Sequence, residues 1–285
     1  MTPADFDFIS QLLKRRSGLV LTPEKAYLIE SRVAPLVRKH NLPSFEAVVM
    51  KMRANDEKMI RDVVEAMTTN ESFFFRDKTP FDHFEKLMLP KLLQSRASQK
   101  RLRIWCAAAS TGQEPYSLAM IIKEKSAILK DWKFEIIGTD LSTEVLERAK
   151  AGLYSQFEVQ RGLPVQMLVK YFTKEGDQFR LKVDIRQMVQ YRPANLLDAF
   201  TGFGNFDIIF CRNVLIYFDE ATKRGVLDRM AHLLPDDGYL LLGAAESVVG
   251  VTTTFTPHES ARGVSIKSNK VAPKAPIGLP KAATA

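Results

Sequence analysis

A chain of 285 residues, 46% hydrophobic and 26% charged, can fill one large core or two modest ones, and no apolar run in it reaches membrane-spanning length. Its two cysteines, Cys106 and Cys211, cannot build a disulfide framework and lack metal-ligand spacing, which points to a reducing compartment. The net charge is +8, but five basic residues and no acid fall in 261–285, leaving +3 for everything before; with no basic-aromatic stripe either, a nucleic-acid partner is not expected.

The N-terminus, Met1-Thr-Pro-Ala-Asp-Phe-Asp, is acidic and has no signal-peptide core, so a cytoplasmic protein without membrane insertion is expected. The first 70 or so residues carry helical signals only. Phe6, Ile9 and Leu13 share a helical face that stops at Gly18; Thr22-Pro23 opens a helix towards His40-Asn41; Ser44 and Asn55-Asp56 mark two further starts. Lys14-Arg15-Arg16, Arg32, Arg38 and Lys39 offer a cationic face, but eleven bases up to Ala66 stand against nine acids, so a solvated surface is the default. Thr68-Thr-Asn-Glu-Ser-Phe-Phe-Phe-Arg-Asp77 then mixes three aromatics with amides, hydroxyls and an arginine. The phenylalanines suit a core; Asn70, Ser72 and Arg76 each need a partner if buried.

From Leu102 apolar strands alternate with helices, which predicts an α/β, open, doubly wound parallel sheet. The expected strands are 102–107, 134–139, 189–193, 206–211 and 238–244, with later ones near 252–256 and 263–267; the helices are 114–126, 143–151 and 220–234. An insert from Gly152 to Met188 holds a hairpin turning at Glu175-Gly176-Asp177. Pro273, Pro276 and Pro280 among Ala and Lys make 269–285 an expected disordered tail.

Ligands of such sheets bind beyond the carboxyl ends of the strands, near the point where strand order reverses. Four segments send polar groups there: Ala107 to Glu114, Thr139-Asp140, Asn195-Leu196 and Arg212-Asn213. The small residues from Ala107 to Gly112 suit close backbone approach, and Gly112 suits a turn of positive φ. Asp140 is placed to accept from two ribose hydroxyls, Asn195 to read an adenine edge and Leu196 to pack on its face, so a nucleoside cofactor is expected. The dinucleotide fingerprint is missing: Gly112 stands alone, and it lies 28 residues before Asp140 where about 20 is usual. A nicotinamide dehydrogenase is therefore disfavoured. In a 3-2-1-4-5 order the strands of Cys106 and Cys211 adjoin at the pocket, and a pair of inert core thiols is the favoured reading.

Thr69-Asn-Glu-Ser-Phe-Phe-Phe-Arg-Asp77, Ile104-Trp-Cys-Ala-Ala-Ala-Ser-Thr-Gly-Gln-Glu-Pro-Tyr-Ser-Leu-Ala119, Gly138-Thr-Asp140 and Phe206-Asp-Ile-Ile-Phe-Cys-Arg-Asn-Val-Leu-Ile-Tyr-Phe218 together resemble the chemotaxis receptor glutamate O-methyltransferases, the CheR family, over roughly 5–268. The resemblance implies a Rossmann-like domain at 101–268 that binds S-adenosylmethionine and carries a β appendage at about 157–188. It also implies a helical receptor-docking domain at 1–75, joined by a helical linker at 76–100. The implied acceptors are glutamates on the cytoplasmic domain of chemotaxis receptors, the products are S-adenosylhomocysteine and a glutamyl methyl ester, and a monomer is expected.

Carried over by position, the cofactor contacts fall on Asn70, Ser72, Arg76, Glu114, Asp140, Asn195, Leu196, Arg212 and Asn213, with Arg76, Arg212 and Tyr217 as the catalytic candidates. Ser72, Cys106, Ala109 and Gln113 stand where threonine, serine, cysteine and glutamate are common, and the fifth strand ends Ala244-Ala-Glu246 where Gly-His-Ser-Glu is usual. The competing readings are a methyltransferase for another protein or a small molecule, and a cofactor-sensing scaffold without turnover. Glu114-Pro-Tyr-Ser117 follows the first strand, so it does not resemble the Asp/Asn-Pro-Pro-Tyr motif of amino-group methyltransferases, which follows the fourth.

Overall fold

The computed structural model describes residues 1–268; the expectation for 269–285 lies outside the described residues. Four helices come first: α1 (Pro3–Ser17), α2 (Ala26–Lys39), α3 (Phe45–Arg53) and α4 (Glu57–Ala66). Local chemistry sets their ends. The Thr2 side chain accepts from the Asp5 amide, the Asp56 side chain accepts from the Met59 amide, and Gly18 closes α1 with φ +77. The helix expected from Thr22-Pro23 begins as a short 3-10 turn, Pro23–Lys25, before α2. Phe6, Ile9, Leu13, Ile29, Val33, Val48, Met52 and Val63 make this unit's core.

Several of the basic residues that could have made a cationic face are spent within the fold. Arg16 pairs with Glu57, Lys14 reaches Asp219 at 2.7 Å, and Arg32 donates to the carbonyls of Met67 and Thr68 at 2.7 and 3.0 Å.

Next come α5 (Thr79–His83), a five-residue π stretch (Phe84–Met88) and α6 (Leu89–Ser95). Phe81, Phe84, Met88, Leu89 and Leu92 pack into one core with Leu102, Ile104, Tyr116 and Ile136, so this segment covers the sheet that follows it. That sheet and its covers run β1 (Arg101–Cys106), α7 (Gln113–Glu124), β2 (Lys133–Asp140), α8 (Thr143–Ala151), β3 (Leu153–Ser155), α9 (Gln156–Gln160), α10 (Val165–Tyr171), β4 (Phe172–Glu175), β5 (Gln178–Leu181), α11 (Val183–Arg186), β6 (Val189–Pro193), β7 (Ile208–Cys211), α12 (Glu220–Ala231), β8 (Tyr239–Leu242), β9 (Phe255–Pro257) and β10 (Val264–Lys267).

Seven strands form the main sheet in the order β6-β2-β1-β7-β8-β10-β9, the first five parallel and the last two antiparallel. The strand order reverses between β1 and β7, which places the binding crevice at their carboxyl ends. The period of two sorts the side chains by face. Ile104, Cys106, Ile136, Ile208, Phe210 and Leu241 lie in the core with α7, while Trp105, Ala107, Ile137, Ile209, Cys211 and Leu240 lie in the core with α12. The two cysteines thus sit on adjacent strands but in opposite cores, and both are fully buried.

The appendage is a three-stranded antiparallel sheet, β3-β5-β4, with a two-residue Gly176-Asp177 turn joining β4 to β5. It takes in β3 from Leu153, before the 157–188 span expected from sequence: Gly152 (φ +59) ends α8 and turns the chain straight into the strand. The central member of the three phenylalanines anchors it. Phe74 is fully buried, edge-on to Tyr154 at 5.0 Å and to Phe172 at 5.5 Å.

Candidate active site

At the carboxyl ends of β1, β2 and β7 lies an open cleft with about 1020 Å³ of empty space, its mouth included. All ten residues singled out from the sequence (Asn70, Ser72, Arg76, Glu114, Asp140, Asn195, Leu196, Arg212, Asn213 and Tyr217) line this one cleft. Ser17, Leu19, Val64 and Met67 of the helical unit add a wall, which strand-and-loop reasoning did not find because no local pattern in 1–70 points to a ligand.

Asp140 ends β2. One carboxylate oxygen accepts from the Ser110 amide at 2.9 Å and the other from the Ser142 amide at 3.0 Å, so backbone bonds fix the carboxylate in the cleft lining while leaving it acceptor capacity. Burial pushes its pKa up, against the pull of those backbone amides. Ser110, with φ +48, also donates its hydroxyl to the Asn70 carbonyl at 3.0 Å, tying the 68–77 segment to the β1 loop.

Gly112 has the positive φ expected, +94, but its missing side chain admits protein rather than ligand: a Cβ there would come within 2.6 Å of the Tyr191 hydroxyl. Gly112 is also absent from the cleft lining, which takes Ala107, Ala108 and Ser110 from this loop. Within the 107–112 stretch, Gly112 thus serves the turn and the packing, and Ala107, Ala108 and Ser110 face the cleft.

Arg212 follows β7 and is almost wholly out of solvent. One terminal nitrogen donates to Glu114 at 2.7 Å; the other donates to the Asp77 carboxylate at 2.7 Å and to the Arg76 carbonyl at 2.9 Å. Burial raises the Glu114 pKa while Arg212 opposes the rise. The Arg76 turn that Arg212 grips is unusual, with positive φ at Phe75, Asp77 and Lys78. Such residues persist only where their surroundings over-determine them. Arg76 itself is half-buried, donates to the Glu71 carbonyl at 2.7 Å, lies over the Phe73 ring, and has no carboxylate partner among the described residues. It is the cleft's available cation.

Asn195 donates from its side-chain nitrogen to the Arg16 carbonyl at 2.6 Å and its side-chain oxygen accepts from the Leu197 amide at 3.0 Å, bridging the two units beside the site. Leu196 is buried. Asn70 donates to the Thr68 hydroxyl at 3.0 Å. Asn213 adopts φ +57, and Tyr217 ends a 3-10 turn, Leu215–Tyr217, whose last carbonyl accepts from Val20 of the helical unit at 2.9 Å.

Asp140, Leu196 and Arg76 thus bring a buried carboxylate, an apolar wall and a guanidinium without a carboxylate partner among the described residues into one cleft. The parallel sheet with its crevice at the β1–β7 reversal is Rossmann-like. The chain belongs to the CheR family: residues 70–264 match the family model described as CheR methyltransferase, SAM binding domain, and residues 4–68 match CheR methyltransferase, all-alpha domain. It is an S-adenosylmethionine-dependent methyltransferase. It is 41% identical over 265 residues to chemotaxis protein methyltransferase 1 of Pseudomonas aeruginosa, covering 92% of this chain and 96% of that one. It is likewise 41% identical over 252 residues to the chemotaxis protein methyltransferase of Vibrio parahaemolyticus, covering 86% and 90%. No helix among the described residues is long and apolar enough to cross a membrane.

Proposed function

We propose that this enzyme methylates glutamate side chains on the cytoplasmic domain of chemotaxis receptors, giving glutamyl methyl esters and S-adenosylhomocysteine. The observation that supports a carboxylate in this cleft, on the cofactor or on the acceptor, is the half-buried Arg76, a cation without a carboxylate partner among the described residues, beside an arginine that is already paired. The names of the relatives, chemotaxis protein methyltransferases, support the receptor as the source of that carboxylate. In this reading 1–75 docks on the receptor, 76–100 links, and 101–268 carries the chemistry, in a cytoplasmic monomer.

The cofactor supplies an electrophilic methyl group on a positively charged sulfur. A glutamate with its ordinary pKa of about 4.3 is already a nucleophile at neutral pH, so the site needs no general base, and none of the ten cleft residues is a histidine. Asp140 and Asn213 hold the nucleoside side, Asn195 and Leu196 the base. Arg76 meets a carboxylate and Tyr217 lies beside the transfer path, so these two orient the reacting groups. Arg212 and Glu114 act through the wall they brace. Catalysis then comes from alignment and from bringing opposite charges together where the bound cofactor and acceptor displace water from the cleft.

The test is transfer of a radiolabelled methyl group to receptor-enriched membranes. Base-labile label on the receptor is the expected result. Base-stable label or label on other proteins would point to a different acceptor, and cofactor binding without transfer would point to a scaffold.

A further inference from the structure

The loop after β7 must leave the sheet within one residue, and it does so through the left-handed Asn213, which removes the amides of 213–216 from any regular ladder. One side chain answers three of these four, those of Asn213, Val214 and Ile216. Glu246, beyond the end of β8, accepts from the amides of Asn213 at 2.8 Å, Val214 at 3.0 Å, Ile216 at 3.3 Å and Gly243 at 2.7 Å, two on each oxygen. It forms no ion pair among the described residues, and its hydrogen-bond partners there are all backbone amides. Gly243 completes the cradle: a Cβ there would stand 2.7 Å from a Glu246 oxygen, 2.8 Å from the Asn213 side-chain amide and 2.9 Å from the Asn213 backbone nitrogen.

We infer that Glu246 is a positioning residue of the methyltransferase site, fixing the turn that presents Asn213 and Tyr217 to the cleft, and that Gly243 is its necessary partner. The inference rests on the methyltransferase reading but not on the identity of the acceptor. It also accounts for the sequence at this point: Ala244 and Ala245, which depart from the family pattern, are exposed, whereas Gly243 and Glu246, which keep it, build the cradle. Glutamine cannot substitute, because its amide offers one oxygen and turns donor hydrogens towards amides that are themselves donors.

E246Q, E246D and G243A are compared with the unaltered protein by calorimetric binding of S-adenosylhomocysteine and by initial rates with receptor-enriched membranes. E246Q is expected to weaken S-adenosylhomocysteine binding about tenfold and to lower kcat by about tenfold or more, the loss of one or two charge-assisted bonds, with KM for the membranes unchanged. E246D, which keeps the carboxylate, recovers part of both. G243A gives the same pattern without touching the charge, and serves if E246Q fails to fold. Folded E246Q and G243A proteins that bind S-adenosylhomocysteine like the parent overturn the inference. A parent that binds S-adenosylhomocysteine but methylates no receptor overturns the acceptor reading instead, and leaves the affinity comparison valid.

Discussion

The guanidinium of Arg212 lies 2.7 Å from Glu114 in the wall of the cleft, with side chains only 2% and 11% exposed. Removing one member of such a pair strands a buried charge, at a cost of about 3–5 kcal/mol. Arg212→Met is therefore expected to be strongly destabilising. Combining it with Glu114→Gln should recover part of the loss, because the stranded carboxylate is gone. Denaturant unfolding of the two single variants and the double variant reads this out. Strict additivity would mean that the two groups are not coupled.

Asp140 keeps acceptor capacity in the cleft lining. Two charge-assisted bonds to ribose hydroxyls are together worth about 3 kcal/mol, so Asp140→Ala should weaken S-adenosylhomocysteine binding about 100-fold by calorimetry. Unchanged affinity would remove Asp140 from the cofactor site.

The pH dependence of that affinity has a definite sign. Burial raises the Asp140 pKa above its ordinary 3.8, so on acidification it takes up a proton earlier than an exposed aspartate and loses acceptor capacity. Affinity should fall as pH drops, starting above the ordinary carboxylate range, and Asp140→Asn should flatten the profile. For stability the sign is opposite: a raised pKa favours the folded state when protonated, and that contribution is lost as pH rises through the folded value.

Glu135 behaves the other way. Arg103 at 2.9 Å and Arg101 at 2.6 Å pull its pKa down from 4.5 to about 2. Its contribution to stability is present above the unfolded value and drains away as pH falls from about 4.5 to about 2. Acid unfolding of Glu135→Gln should lack this component; an acid midpoint and slope identical to the parent's would argue against it.

Cys106 and Cys211 are fully buried, and burial pushes both thiols well above their ordinary pKa. Neither lines the cleft. An alkylating reagent at neutral pH should label neither in the folded protein and both in denaturant, with no effect of S-adenosylhomocysteine on the native result. Protection of a labelled cysteine by the ligand would place it in the cleft after all.

Much of this was legible from the chain alone, because it depends on local chemistry. Apolar runs ending in a polar residue mark strands that deliver Asp140 and Arg212 to one edge of a parallel sheet. Asp56 and Gly18 announce helix ends through bonds spanning three or four residues. The four motif segments were separable from loop capping only by their convergence, and a family resemblance added their roles.

What the chain could not disclose depends on contacts far apart in sequence. That Arg212 faces Glu114 across 98 positions, that Glu246 gathers amides from 213–216, and that Cys106 and Cys211 point into opposite cores all follow from sheet register and loop path. The arrival of Asp140 and Arg212 at the cleft is set by strand ends, which are properties of short segments, whereas the wall of Ser17, Leu19, Val64 and Met67 exists only once the helical unit has docked. Only the tertiary structure decided which cleft residues remain free for a ligand, because a buried charge or amide takes whatever partner the fold brings within about 3 Å.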